Sequence, residues 1–128
     1  GRAAGVRWCG ECPKCRFVFL ALAPFLAPAV LVAMFDGIDP LADGAAIQPY
    51  RGILGLGGPA PMECVGTTDE SCWAMAGIAT VAAWRARTVV RSLGAEAAGA
   101  IDDGWDPCRE RGPHSIPGPW QGAADALA

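Results

Sequence analysis

The chain has 128 residues, a formal charge of −3 and a pI near 5.0. That is enough for one small domain with a modest core. It argues against a general nucleic-acid binder, because the nine arginines and single lysine form no basic run. Six cysteines, three of them between Cys9 and Cys15, are too crowded for mutual pairing, and no signal peptide is visible. A metal site in a reducing compartment fits better than a disulfide framework.

The first signal in chain order is WCGECPKC, Trp8 to Cys15. If Cys9 to Cys15 were all helical, the 1.5 Å rise per residue would separate the end cysteines by about 9 Å along the axis. That is too far for one tetrahedral ion with sulfur bonds of about 2.3 Å. Part of the motif must therefore turn. Gly10 permits the turn and Pro13 suits a first helical position. Cys9, Gly10, Glu11 and Cys12 read as a knuckle, with Cys15 on the first turn of the helix that follows. Helix N-terminal amides then favour thiolates. A redox pair, an iron–sulfur cluster and plain structural thiols are the other readings of such a triplet. For a fourth ligand the candidates are Cys64, Cys72, Cys108 and His114. Cys64 is preferred, since it lies in the loop PMECVG beside the next helix, whereas Cys72 reads as a small buried residue and the other two lie in the tail.

Phe17 to Phe35 is an uncharged apolar run of 19 residues, long enough to raise the question of a membrane span. Pro24 and Pro28 argue against it, since each removes an intrahelical bond. The run reads as a helical hairpin: one helix from about Pro13 to Ala23, a second from about Pro28 to Phe35. Residues 36–61 alternate turn signals, at Asp36-Gly37 and Asp39-Pro40, with short apolar pieces. IQPYRGILGLGG predicts one short helix ended by Gly57-Gly58. Thr67 to Glu70 is a capping-box pattern. From it the pattern predicts one long helix, about Thr68 to Leu93, with Trp73, Ala76, Ile78, Val81, Trp84 and Val89 on its apolar face. Arg85, Arg87 and Arg91 fall in its last turns, as a solvated end favoured by the helix dipole. The fold class is therefore mainly α: a small helical domain over residues 1–98 with a Cys-rich zinc knuckle, a helical hairpin and one long helix. Residues 99–128 form a Pro/Gly/Trp-rich, loop-rich tail in which Trp105 and Trp120 are candidates to dock on the body.

At WCGECPKCRFVFLALAPFL, Trp8 to Leu26, the sequence resembles the UDP-N-acetylmuramoyl-L-alanyl-L-glutamate epimerase family of peptidoglycan synthesis. PMECVG, Pro61 to Gly66, is similar to an element of the same family, and HSIP, His114 to Pro117, is a weaker echo of its tail. The knuckle and helix also look like the cysteine-rich end of PP-loop ATPases such as the deazaguanine synthase of queuosine biosynthesis, where a similar cluster holds zinc. The resemblance implies a cytoplasmic enzyme that uses ATP and magnesium to convert the terminal L-Glu of UDP-MurNAc-L-Ala-L-Glu to D-Glu. It also implies that this chain is the C-terminal part of a longer enzyme, with a nucleotide-binding domain missing. Within the chain, GLGG at Gly55 to Gly58 lacks the lysine, serine and strand-to-helix context of a phosphate loop, so the fragment alone is expected to be inactive. Structural zinc is expected on Cys9, Cys12, Cys15 and Cys64. Lys14 and Arg16, at the helix start beside the metal, are candidates for substrate phosphates or carboxylates. Glu63 and Cys64 are the candidate acid/base pair; if Cys64 acts so, the fourth ligand lies elsewhere. The competing expectation is a non-catalytic zinc-binding interaction module.

Overall fold

A computed structural model describes residues 8–62 and 65–109 and shows six α-helices, with no strand among the described residues. Helix α1 spans Pro13–Leu22 and α2 spans Pro28–Met34, each with a proline in its first turn. The two prolines thus divide the apolar run as the sequence predicts, because neither ring can sit inside an unbroken helix. No helix among the described residues is long and apolar enough to cross a membrane. Leu31 and Phe35 turn inward, while Val30 and Met34 stay exposed.

Two short 3-10 turns, Pro40–Ala42 and Gly44–Ala46, follow, capped by the Asp39 and Asp43 carboxylates on the amides of Leu41 and Ala45. They lead into α3, Ile47–Leu54, which stops earlier than GLGG suggests because Gly55 already takes the left-handed cap. Gly57 and Gly58 also have positive φ, so the chain turns sharply through GLGG. The chain then returns across α3. A Cβ on Gly52 would lie 1.9 Å from the Pro59 carbonyl oxygen, so only glycine admits this approach.

The expected long helix is broken in three. Helix α4 spans Thr68–Ala79, α5 is a single turn at Ala82–Arg85, and α6 spans Thr88–Gly99. The capping box at Thr67 and Glu70 is present, with both reciprocal hydrogen bonds formed. The break comes at Thr80 and Val81, where the Thr80 hydroxyl donates to the Gly77 carbonyl and Val81 is extended. The physical reason is tertiary. An unbroken helix of this length would run about 39 Å, more than the width of a small domain. Folding back lets α6 pack on α4, where Gly94 fits against Ala79 so closely that a Cβ would approach its side chain to 2.7 Å. Of the expected apolar face, Ile78, Trp84 and Val89 are buried, but Val81 is exposed at the break.

Arg87 corrects the reading of a solvated helix end. It occupies the N-cap position of α6, donates from Nε to Asp39 at 2.9 Å and covers the Trp84 ring at 5.5 Å. Trp84 is buried and donates Nε1–H to the Leu26 carbonyl at 3.2 Å. Aromatic contacts run from Trp8 through Phe35 and Phe19 to Trp84, with centroids 5.0, 5.0 and 5.9 Å apart. They tie the N-terminal knuckle to the core. Beyond α6, residues 100–109 form turns in which Trp105 is half-buried. Trp120 lies outside the described residues.

Candidate metal centre

Cys12 is the N-cap of α1, and its side chain accepts from the Cys15 amide at 3.5 Å. Cys9 accepts from the Cys12 amide at 3.3 Å. Gly10, at φ +74°, makes the turn that brings Cys9 back over the helix start, and it packs against Ile38 so tightly that a Cβ would clash. The result places the sulfurs of Cys9 and Cys15 3.5 Å apart, and all three sulfurs lie within 4.8 Å of one another. Sulfurs on one tetrahedral zinc sit about 3.8 Å apart, given bonds of about 2.3 Å. The three donors therefore fit one thiophilic ion.

The electrostatics agree with a thiolate site. Burial pushes the Cys9 thiol up, but the amides of Cys12 and Glu11 and the sulfurs of Cys12 and Cys15 together outweigh it, bringing it from 9.0 to about 7. Cys12 moves the other way: burial raises it, the neighbouring sulfurs raise it further, and the Cys15 amide offsets only part. Of these two thiols, Cys9 is the one the site favours as thiolate. Cys72 does not join the group; it is buried on α4 and donates to the Leu54 carbonyl at 3.3 Å. Cys108 is exposed and also lies apart from the three sulfurs. Cys64, Glu63 and His114 lie outside the described residues.

After residues 63–64 the chain rests on α1 at Gly66, whereas Met62 before them is exposed. Met62 stands at the rim of a cavity lined by Pro13 and Arg16, and Gly66 lies so close to the Phe17 ring that a Cβ would meet it at 2.3 Å. Lys14 is exposed on the first turn of α1 and Arg16, two residues on, is half-buried. The Tyr50 hydroxyl, fully buried on α3, donates to the Arg16 carbonyl at 2.9 Å. Sequence reasoning missed Tyr50: a tyrosine in a short amphipathic helix gives no sign of which distant carbonyl it will satisfy.

Comparison with known proteins places this sequence in a family. The family model of the MurL C-terminal domain matches residues 2–105. A UDP-N-acetyl-alpha-D-muramoyl-L-alanyl-L-glutamate epimerase from Micromonospora sp. is 46% identical over 133 residues, covering 99% of this chain and 28% of the relative. Proteins of the same name from Salinispora tropica and Xanthomonas oryzae pv. oryzae are 48% and 47% identical, covering 72% and 66% of this chain but 20% and 19% of their own lengths. The chain thus spans less than a third of the curated relatives it matches. No solved structure matches it. From residue 2 to residue 105, knuckle and helices together, the chain belongs to the family of MurL C-terminal domains.

Proposed function

We propose that this chain is the metal-holding C-terminal part of an ATP- and magnesium-dependent, cytoplasmic epimerase that converts the terminal L-Glu of UDP-MurNAc-L-Ala-L-Glu to D-Glu in peptidoglycan precursor synthesis. The observation that carries the reading is its near full-length similarity, at 46% identity, to a protein that bears the epimerase name. Nucleotide chemistry belongs to the rest of the longer enzyme, and the domain alone is inactive. The metal is zinc in a structural role, held by Cys9, Cys12 and Cys15 with Cys64 as fourth ligand. Zinc supplies a fixed tetrahedral node that locks the knuckle to α1. The choice of Cys64 is supported by the seating of Gly66, two residues on, against the Phe17 ring of α1.

Inversion at a glutamyl α-carbon needs an acidified α-proton and acid/base groups on two faces. A free carboxylate leaves that proton very weakly acidic. Adenylation of the α-carboxylate removes its charge, so a positioned base can take the proton and a second group can return one from the opposite face. Glu63 is the candidate base on this chain. Cys64 is its candidate partner if the metal finds its fourth ligand elsewhere. Lys14 and Arg16 meet anionic groups of the substrate.

The test combines metal analysis of the wild-type and Cys64→Ser chains with epimerisation by the full-length enzyme, read by chiral analysis of the released glutamate. One zinc per chain, weakened in the variant, together with ATP-dependent inversion, supports the reading. Inversion that survives deletion of residues 1–109 would overturn it. Zinc unchanged in Cys64→Ser would move that residue from ligand to acid/base group.

A further inference from the structure

A cavity of about 320 Å³ opens between the first turn of α1, helix α3 and the segment that returns over it. That is the lower end of the range for small-molecule clefts. Pro13, Pro49, Ile53 and Pro61 make its wall, with exposed Met62 at the rim, and Arg16 is the only ionisable side chain among the described residues that line it. Arg16 is held there rather than draped over the surface. Its carbonyl is bonded by buried Tyr50, and its Nε is buried with no hydrogen-bond partner. Arg51 and Arg87 pair with Glu96 and Asp39, but no acidic side chain among the described residues does the same for Arg16. A desolvated guanidinium donor without an acceptor is costly, and arrival of an anion removes the cost.

We infer that this cavity receives a carboxylate carried on a short apolar stem, with Arg16 as its binding residue. A guanidinium fork matches a carboxylate, and the proline and isoleucine wall suits methylene groups. A strongly hydrated phosphate would gain little from such walls. Resting on the epimerase reading above, the ligand is the γ-carboxylate of the glutamyl residue to be inverted. The α-carboxylate must lose its charge on activation, and a guanidinium clamped to it would oppose that step. The γ-carboxylate keeps its charge throughout, so an arginine can hold it without penalty while the α-carbon stays open to acid and base.

The zinc-loaded chain is titrated by NMR with L-alanyl-L-glutamate, L-alanyl-L-glutamine and inorganic phosphate, following the Ile53 and Met62 methyl groups. The expected result is saturable shifts with the glutamate dipeptide, binding of the glutamine dipeptide about 10-fold weaker or less, and a similar loss in Arg16→Gln, as for one charge-assisted pair. Equal binding of the two dipeptides, displacement by phosphate at equal concentration, or an unchanged Arg16→Gln variant overturns the assignment. So does the absence of saturable shifts in a well-dispersed spectrum. In the full-length enzyme, Arg16→Gln raises KM about 10-fold with a smaller change in kcat; an unchanged KM overturns the inference there too. An active enzyme that fails these tests removes only the cavity assignment. A wild-type enzyme that never epimerises, yet prefers the glutamate dipeptide here, removes only the epimerase reading.

Discussion

The sulfurs of Cys9 and Cys15 meet at 3.5 Å although six positions separate them in the chain. A left-handed turn at Gly10 and the helix start at Pro13 bring them together. The contact is the reason the knuckle can hold an ion. It also concentrates negative charge at one end of α1, where the helix amides receive it.

Thiol reactivity should follow the two burial patterns. Cys9 is lowered to about 7, whereas burial, with a smaller effect from Asp69, raises Cys72. In the reduced, metal-free chain at pH 7, iodoacetamide should label Cys9 first among the described cysteines of the core and Cys72 last. Timed peptide mapping reads the order; equal rates at the two residues would contradict it. Because the folded value of Cys9 is depressed from 9.0 to about 7, its contribution to metal-free stability is fully present above 9.0 and is lost as pH falls through about 7.

Removing the Tyr50 hydroxyl takes one hydrogen bond from the Arg16 carbonyl, which lies inside α1 and keeps its helical role. Tyr50→Phe should cost about 0.5–1.5 kcal/mol in urea unfolding, the net range for one intramolecular hydrogen bond. Burial raises the Tyr50 phenol above its ordinary 10.0, with nearby Arg16 offsetting only part. The unfolded chain therefore ionises first: Tyr50's contribution is intact below pH 10.0 and is lost as pH rises toward the folded value. The variant should show a shallower alkaline decline than wild type. Parallel declines would show that another group governs that limb.

Two glycines in helices make opposite predictions. Gly52→Ala places a Cβ against the Pro59 carbonyl and must displace backbone, at a cost of about 1–3 kcal/mol. On α4, a Cβ added at Gly77 would meet nothing within 4 Å, so Gly77→Ala should stabilise by about 0.5–1 kcal/mol through helix propensity. Thermal melts of the two variants side by side check the sign; a stabilised Gly52→Ala would mean that the return segment is not seated on α3.

Trp84→Ala should be among the most damaging core substitutions. The side chain is 1% exposed, contacts Phe19 edge-on and bonds the Leu26 carbonyl between α1 and α2. The expected loss is about 3–5 kcal/mol, measured as a shift in urea midpoint. A loss under about 1 kcal/mol, the scale of an ordinary exposed substitution, would be inconsistent with its burial.

The helix starts and the three candidate metal donors are legible in the chain alone. Proline at the first turn, the Thr67–Glu70 box and the Cys9/Cys12/Cys15 spacing act over three or four residues, so their geometry is written locally. The break between Thr80 and Val81, the pairing of Arg87 with Asp39 across 48 positions, and the hold of Tyr50 on Arg16 at the edge of a cavity emerge only on packing. Each of these depends on a partner distant in sequence. Local propensity favoured a continuous helix; burial of Trp84 and the close seating of Gly94 on Ala79 outweighed it, because a chain this short can cover its apolar surface only by folding back on itself.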